Sequence, residues 1–180
     1  MTAKPPDEAK LYEAALNHLA RYAATEAGLA RVLARRVDRW ARAQGEDEAT
    51  EAAAKGAKTK IPRILARLKA ANVLNDDAFA ESRARRLTRE GKSRRAALAH
   101  LAAKGVGAEA AQAAIADDPA RELAAACAFL RRRRAGPFGD APELKVLGAM
   151  ARAGFSQSTA RAVLRMERQE AEALIKALNP

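Results

Sequence analysis

Apolar residues in the first quarter of the chain recur at intervals of three and four, with polar residues between them. This spacing predicts an amphipathic helix over residues 8–23. It continues over residues 29–40, where Thr25 offers a capping hydroxyl beforehand and Gln44-Gly45 a stop, so a second helix is expected. The apolar stripe of the first helix consists of Leu11, Ala15, Leu19 and Tyr22.

Helical periodicity resumes after residue 60 and continues in short segments. Asn75 and Asp76 offer cap oxygens to a helix of about residues 77–90, and Asp117-Asp118-Pro119 marks another start. Gly136-Pro137-Phe138-Gly139 must interrupt a helix. Further boundaries are expected at Pro62, Asn72, Gly91, Ser93, Gly105, Pro142, Gly154 and Ser156.

Residues 45–60 break this pattern, because they contain no large apolar side chain while keeping high helix propensity. Such a stretch has nothing to bury. We therefore expect a flexible linker or a frayed helix there, with a solvated helical extension as the alternative.

The sequence also contains an internal repeat. The first copy reads Leu98-x2-Leu101-x3-Gly105-Val106, and the second reads Leu147-x2-Met150-x3-Gly154-Phe155. Ten residues after each glycine an apolar residue follows, so the two copies superpose without a gap. A degenerate third copy carries Arg36 at the glycine position. The repeat predicts helix, left-handed glycine turn, apolar plug and short helix, in units that must pack on one another.

Composition narrows the fold class and the compartment. The chain of 180 residues contains 49 alanines and few β-branched residues, which favours an all-α protein over a sheet protein. One cysteine and two histidines exclude an internal disulfide framework and a zinc site of recognised spacing. No apolar run is long enough to span a membrane and no export signal is visible, so a cytoplasmic protein is expected.

Candidate catalytic groups are weak. Gly91-Lys92-Ser93 lacks the earlier glycine and the preceding strand of a P-loop. The Asp76-Asp77 and Asp117-Asp118 pairs stand at predicted helix starts, where carboxylates bind free backbone N–H groups. His18 and His100 lie on helical stripes without a polar companion, and are interpreted as packing or surface residues. We therefore expect no catalytic site, no metal and no cofactor.

The basic residues are clustered. Lys and Arg total 33 against 22 Asp and Glu, a net charge of +11, and residues 83–95 alone carry +6. A helical wheel with Phe79, Ala80, Ala84 and Leu87 inside turns Arg85 and Arg89 outward. Arg83 falls near the inner face, so it must extend to the edge or pair with a carboxylate. The contact candidates are Arg83, Arg85, Arg86, Arg89, Lys92, Arg94, Arg95, Arg131, Arg132, Arg133 and Arg134.

Several of these motifs together resemble one protein family. The segment Leu74-Asn75-Asp76-Asp77-Ala78-Phe79-Ala80, the basic helix, Gly91-Lys92-Ser93-Arg94-Arg95 and both repeat copies follow the order and spacing of the RecX family of bacterial recombination regulators. The likeness covers about residues 10–166. Asn75 replaces the usual first aspartate but can still cap a helix, and residues 45–60 exceed the usual connection. The structural motif residues are Leu74, Asn75, Asp76, Phe79, Ala80, Gly91, Leu98, Leu101, Gly105, Gly154 and Phe155.

The resemblance implies an all-α, elongated, curved array of three tandem three-helix repeats. We expect these repeats over residues 8–76, with the insertion at about 45–60, over 77–116, the most basic, and over 117–166, followed by a helical tail over 167–180. Family members bind the RecA nucleoprotein filament and restrain its ATPase, strand exchange and co-protease activities without catalysing a reaction. The expected partners are the RecA filament and single- or double-stranded DNA, bound weakly and without sequence preference, by a monomer away from membranes.

Two other interpretations stay open at this point. A helix-turn-helix transcription regulator, or another helical-repeat DNA-binding protein, would place Arg94 and Arg95 at the start of a recognition helix. An adaptor for an acidic protein would use the same basic residues. Because aromatic residues are not interleaved with the basic clusters, any nucleic-acid contact is expected with the backbone.

Overall fold

The computed structural model describes residues 4–45 and 47–178, and it contains no β-strand within these ranges. The all-α class is therefore confirmed. A short 3₁₀ turn, Gly136–Phe138, occupies the predicted interruption. In chain order the α-helices are α1 (Glu8–Leu19), α2 (Glu26–Gln44), α3 (Glu48–Lys58), α4 (Ile61–Ala70), α5 (Asp76–Arg89), α6 (Arg94–Lys104), α7 (Ala108–Ala114), α8 (Pro119–Arg133), α9 (Glu143–Arg152), α10 (Gln157–Leu164) and α11 (Arg168–Ala177).

The helix starts follow the capping residues seen in the sequence. Thr25 Oγ1 accepts from the backbone N–H of Gly28 at 2.9 Å, and Asp118 caps α8. Helix α1, however, ends at Leu19 and not near residue 23. Tyr22 lies in the following turn, where its backbone N–H bonds to the His18 carbonyl, and the side chain is 60% exposed. The apolar stripe therefore ends one turn earlier than predicted.

The expectation of a linker or frayed helix over residues 45–60 is wrong. Asp47 caps the ordered helix α3 by accepting from the backbone N–H of Thr50 at 2.6 Å. Ala54 and Ala57 are buried in the same core as the leucines of α2 and α4. A methyl group is small, but it lets two helix backbones approach closely, so an alanine face can be buried where no larger side chain is present.

The chain divides into two compact units. Unit 1 comprises the described residues up to Phe79 together with Lys104–Val106, and unit 2 comprises Ala80–Ala103 and the described residues from Gly107 onward. The core of unit 1 packs side chains of α1, α2, α3 and α4 around Leu33 and Leu68. The core of unit 2 packs α8, α9, α10 and α11 around Leu130 and Met150. Each unit therefore buries an apolar interior of its own.

Unit 2 also buries the single cysteine of the chain. Cys127 lies in the middle of α8 and is fully buried in the core. Desolvation raises the pKa of its thiol to about 11, and the nearby charge of Glu170 acts in the same direction. The thiol is therefore protonated at neutral pH.

Unit 1 contains a cluster of hydrogen-bonded residues at the start of α2, which we call the first joint. Its members are Thr25, Glu26, Asp76, Lys104 and Gly105. The buried Thr25 hydroxyl donates to the Lys104 carbonyl at 2.6 Å, just before the glycine turn. The backbone N–H of Glu26 donates to the Asp76 carboxylate at 2.8 Å. Of the two caps predicted for α5, Asn75 accepts from Ala78 N–H as expected, whereas Asp76 does not cap its own helix. Asp76 therefore caps the start of α2 instead.

Unit 2 contains a matching set, the second joint, made of Ser93, Arg94, Glu122, Ala153 and Gly154. The buried Ser93 hydroxyl donates to the Ala153 carbonyl at 2.7 Å, again just before a glycine turn. The backbone N–H of Arg94 donates to the Glu122 carboxylate at 2.8 Å. Both joints thus combine a buried hydroxyl cap, an acidic cap from another helix and a carbonyl beside a glycine.

The two glycines of the repeat are required by these joints. Gly105 and Gly154 have φ angles of 91° and 93°, a region that side chains disfavour. A Cβ at Gly105 would lie 2.5 Å from the Ala27 Cβ, and one at Gly154 would lie 2.5 Å from the Ser93 Oγ. The glycine register that revealed the repeat therefore marks the point where each turn contacts a helix start.

Candidate nucleic-acid interface

The exposed face of α5 carries arginines that are paired along their own helix. Arg86 Nε donates to the Glu90 carboxylate at 2.8 Å, and Arg85 Nη1 lies 3.7 Å from Glu81. The hydrogen bond from Arg86 lowers the pKa of Glu90 below its usual range. Arg89 is exposed, as the wheel predicts. The charge of this face is thus partly neutralised by local acids.

Arg83 has a partner that the sequence did not suggest. Its Nε donates to His100 Nε2 at 2.9 Å, linking α5 to α6. The expected choices were extension to the edge of the core or pairing with a carboxylate. An imidazole nitrogen can accept this bond only when it is unprotonated. His100 therefore has a polar role between two helices, which corrects its interpretation as a residue without a polar companion.

Arg94 and Arg95 begin α6 and contact the protein around them. Arg94 is partly buried, and its Nε lies 3.7 Å from Asp117. Arg95 Nη2 donates to the Ala151 carbonyl at 3.1 Å. Two cations at a helix start oppose the helix dipole, but Glu122 supplies a negative charge at the same place.

A basic cleft opens in unit 2 beside the second joint. Its volume is about 520 Å³. The turn after α5 contributes Lys92, the end of α8 contributes Arg132 and Arg133, and the last residue of α9 contributes Arg152. The cleft therefore combines one residue of the basic segment 83–95 with two arginines of the run at residues 131–134. The remaining lining residues are Gly91, Ser93, Ala96, Phe129, Ala153 and Phe155.

Arg152 was absent from the residues selected on the sequence. It stands two positions before the glycine of the second repeat copy, where the first copy has Ala103. Superposing the two repeat copies would have shown that this position is arginine in the second copy and alanine in the first. No such signal connects Arg152 to Lys92 or to the run of arginines, because only the fold brings these segments together.

The four cations of the cleft are exposed, and one of them, Arg132, is also partly desolvated. Desolvation lowers the pKa of Arg132, and the neighbouring charges of Arg131 and Arg133 lower it further, against an opposing effect of Glu90. Arginine nonetheless stays charged at neutral pH. The Arg133 guanidinium lies 4.7 Å from the centroid of the Phe129 ring in a cation–π contact. This contact orders the side chain without neutralising its charge.

The apolar side of the cleft is formed by side chains packed in the core of unit 2. Phe129 and Phe155 meet edge to face with ring centroids 5.5 Å apart, and both are buried in the core of unit 2. Ser93 and Ala153, joined by the hydrogen bond of the second joint, also line this side of the cleft. Because the rings are buried, the cleft presents charge to a ligand and not a stacking platform.

The other selected residues have mainly structural positions. Arg134 ends α8 in the left-handed region at φ 51°, and Arg131 is exposed in the last turn of that helix. Leu74, Ala80, Leu101 and Phe155 are buried, whereas Phe79 and Leu98 are half-buried. Gly91 ends α5 at φ 62°, as predicted.

Within residues 4–45 and 47–178, no group of three or more His, Cys, Asp or Glu side chains is arranged to hold a metal ion. The helices in the same ranges are too short or too polar to cross a membrane.

Comparisons with known proteins identify the family. The family model described as "RecX, second three-helix domain" matches residues 75–115. A protein of Myxococcus xanthus named "Regulatory protein RecX" is 39% identical over 162 residues, which are 86% of this chain and 83% of that protein. The chain belongs to the RecX family. A RecX regulatory protein of Agrobacterium fabrum is 36% identical over 107 residues, 57% of each chain.

A solved structure agrees with this assignment at the level of the fold. The crystal structure of RecX from Lactobacillus salivarius has a TM-score of 0.64 to this chain at 22% identity, and covers 93% of this chain and 97% of its own. The resemblance inferred from the motifs is therefore confirmed. The names of the relatives in the RecX family support a regulatory role for the chain.

Proposed function

We propose that the chain binds the RecA nucleoprotein filament and restrains its ATPase, strand exchange and co-protease activities, without itself catalysing a reaction. The observation that carries this proposal is the 39% identity to a RecX regulatory protein across most of both chains. The charge distribution supports it. A nucleoprotein filament presents acidic protein surface and DNA phosphates, and basic residues of this chain suit both.

The basic residues divide into two kinds in support of this function. Arg85 and Arg86 on α5 pair with acids of the same exposed helix. Such surface pairs contribute little stability, so an acidic partner surface can replace the local acid at small cost. Lys92, Arg132 and Arg133 line the cleft instead. We infer that the α5 face contacts protein, and that the three predicted repeats over residues 8–76, 77–116 and 117–166 act as the binding modules.

The test is the ATPase rate of RecA on single-stranded DNA, measured with and without a near-stoichiometric amount of this protein. We expect the rate to fall, and strand exchange to fall with it. Unchanged ATPase and strand exchange would reject the proposal.

Charge reversal tests whether the α5 face takes part. Arg85→Glu combined with Arg89→Glu should weaken the inhibition, because it opposes an acidic surface. The control is Arg161→Glu combined with Arg165→Glu, which reverses two exposed charges at α10. Equal inhibition by both variants and the wild type would remove the α5 face from the interface.

A sequence-specific transcription regulator is less well supported. That function needs the first residues of a recognition helix to reach base edges. Arg94 and Arg95, which would occupy those positions in α6, contact Asp117 and the Ala151 carbonyl. A selection of duplex sequences that returned one preferred site would favour the regulator over the filament ligand.

A further inference from the structure

We propose that the basic cleft of unit 2 is a phosphate-binding site for a nucleic-acid backbone, formed by Lys92, Arg132, Arg133 and Arg152. The proposal rests on the proposed function, because a nucleoprotein filament supplies DNA. It goes further by assigning the contact with phosphate to this cleft and not to the more densely basic helix α5.

The first argument is the balance of charge at the cleft. Four of its lining residues are cationic, and none of the described residues that line it is acidic. Like charges held this close repel one another. The pKa of Arg132 is lowered mainly by desolvation, and the charges of Arg131 and Arg133 lower it further, against an opposing effect of Glu90. A bound anion would relieve that repulsion. The cleft is therefore more favourable with an anionic ligand than without one.

The second argument is the contrast with the other arginines. Arg83 is bonded to His100, Arg86 to Glu90, and Arg94 lies near Asp117. In the cleft, Arg133 is ordered by the Phe129 ring, which neutralises no charge. Three arginines of the basic segment 83–95 are thus already engaged within the protein.

The third argument concerns which anion fits. A nucleic-acid strand carries one charge per 3.4 Å of helix axis, so successive phosphates can neutralise several of the converging cations together. Arginine forks match phosphate oxygens in geometry as well as charge. Because Phe129 and Phe155 are buried, the bases find no ring to stack on, and binding is independent of sequence. The ligand is therefore backbone phosphate.

The experiment measures binding of a labelled single-stranded oligonucleotide by fluorescence anisotropy across a series of salt concentrations, without RecA. Each single-strand phosphate contact contributes about −0.7 to the slope of log K against log salt, so four contacts contribute about −2.8 and weaken binding about fiftyfold between 50 and 200 mM salt. Arg132→Gln combined with Arg152→Gln should reduce the magnitude of that slope by about 1.4. A second pair, Lys92→Gln with Arg133→Gln, should give the same reduction.

Arg161→Gln combined with Arg165→Gln removes the same charge from an exposed part of unit 2 and should leave the slope unchanged. Circular dichroism of all three double variants reports whether the fold is kept. A wild-type slope in both cleft variants would overturn the proposal.

A competition arm separates phosphate from acidic protein as the ligand. Unlabelled oligonucleotide should displace the labelled strand, whereas polyglutamate at the same charge concentration should displace it far less. Equal displacement by polyglutamate would overturn the proposal in favour of an acidic protein surface. Because RecA is absent from the assay, the cleft can fail while filament inhibition persists, and filament inhibition can fail while the cleft binds DNA.

Discussion

The two joints form the same bonds with different residues. In the first joint the hydroxyl comes from Thr25 and the acidic cap is Asp76, the first residue of α5. In the second they are Ser93 and Glu122, and Glu122 stands one turn into α8. The retained features are the backbone acceptor and the glycine turn, so the repeat preserves hydrogen-bond geometry more closely than residue identity.

The surroundings of the two acidic caps differ. In the first joint, Asp76 caps Glu26, whose own carboxylate forms an exposed ion pair with Lys69 at 2.7 Å. In the second joint the Glu122 carboxylate lies 3.8 Å from the partly buried guanidinium group of Arg121, and Arg121 also bonds to Thr88. Desolvation lowers the pKa of Arg121, and Glu122 opposes that effect. Glu122 therefore both caps a helix and neutralises buried charge.

The largest expected loss of stability comes from replacing the glycine of either joint. Gly105→Ala and Gly154→Ala should each lower the free energy of unfolding by about 2–4 kcal/mol, because the new Cβ meets a neighbour and the backbone is left-handed. Chemical denaturation gives the loss, and hydrogen exchange assigns it to the unit concerned.

Gly56→Ala is the matched control for this pair. Gly56 lies within α3 and has open space around it, so alanine should raise the free energy of unfolding by about 0.5–1 kcal/mol. If Gly105→Ala or Gly154→Ala behaved like Gly56→Ala, the close contact at that joint would be refuted.

Removing the acidic cap should destabilise the second joint more than the first. Glu122→Ala should cost about 2–3 kcal/mol, because it uncaps α6 and leaves the partly buried Arg121 guanidinium without its nearby carboxylate. Asp76→Ala should cost only about 1 kcal/mol, the usual value of a cap. Denaturant melts of both variants give the comparison. Equal losses would contradict the additional role of Glu122, and Glu122→Gln, which keeps an acceptor but no charge, should fall between wild type and Glu122→Ala.

A smaller effect than that of Glu122→Ala is expected at the hydroxyl caps. Thr25→Val and Ser93→Ala should each cost about 1–2 kcal/mol, since each removes a helix cap and a donor to a carbonyl. Thr25→Ser keeps both bonds and should change stability by less than about 0.5 kcal/mol. Thermal melts monitored by circular dichroism test all three. A loss in Thr25→Ser as large as that in Thr25→Val would show that the methyl group, and not the hydroxyl, stabilises the first joint.

The features that the sequence predicted are local ones. The caps Thr25 and Asp118 and the turns at Gly105 and Gly154 depend on a few neighbouring residues and on backbone conformation, so their signal survives in the linear chain. The helix over residues 48–58 was missed because its burial depends on α2. The cap that Asp76 provides for Glu26 was missed for the same reason, since its partner is 50 residues away.

The candidate site was predicted only in part. Clusters of arginine are visible in the sequence, and they contain Arg132 and Arg133. Which cations share a cleft depends on where the ends of α8 and α9 lie, and so nothing in the chain connects Arg152 to the other three cations. Likewise, the choice of His100 as the partner of Arg83 depends on the packing of α5 against α6.

The buried thiol of Cys127 has a practical consequence. Thiol-directed reagents attack the thiolate, and a group with a pKa of about 11 inside the core supplies almost none at neutral pH. A cysteine introduced at an exposed position such as Ala102 or Ala116 would therefore take up a maleimide dye selectively, with no need to remove the natural one. The natural cysteine can therefore stay in place when the protein is labelled for fluorescence measurements.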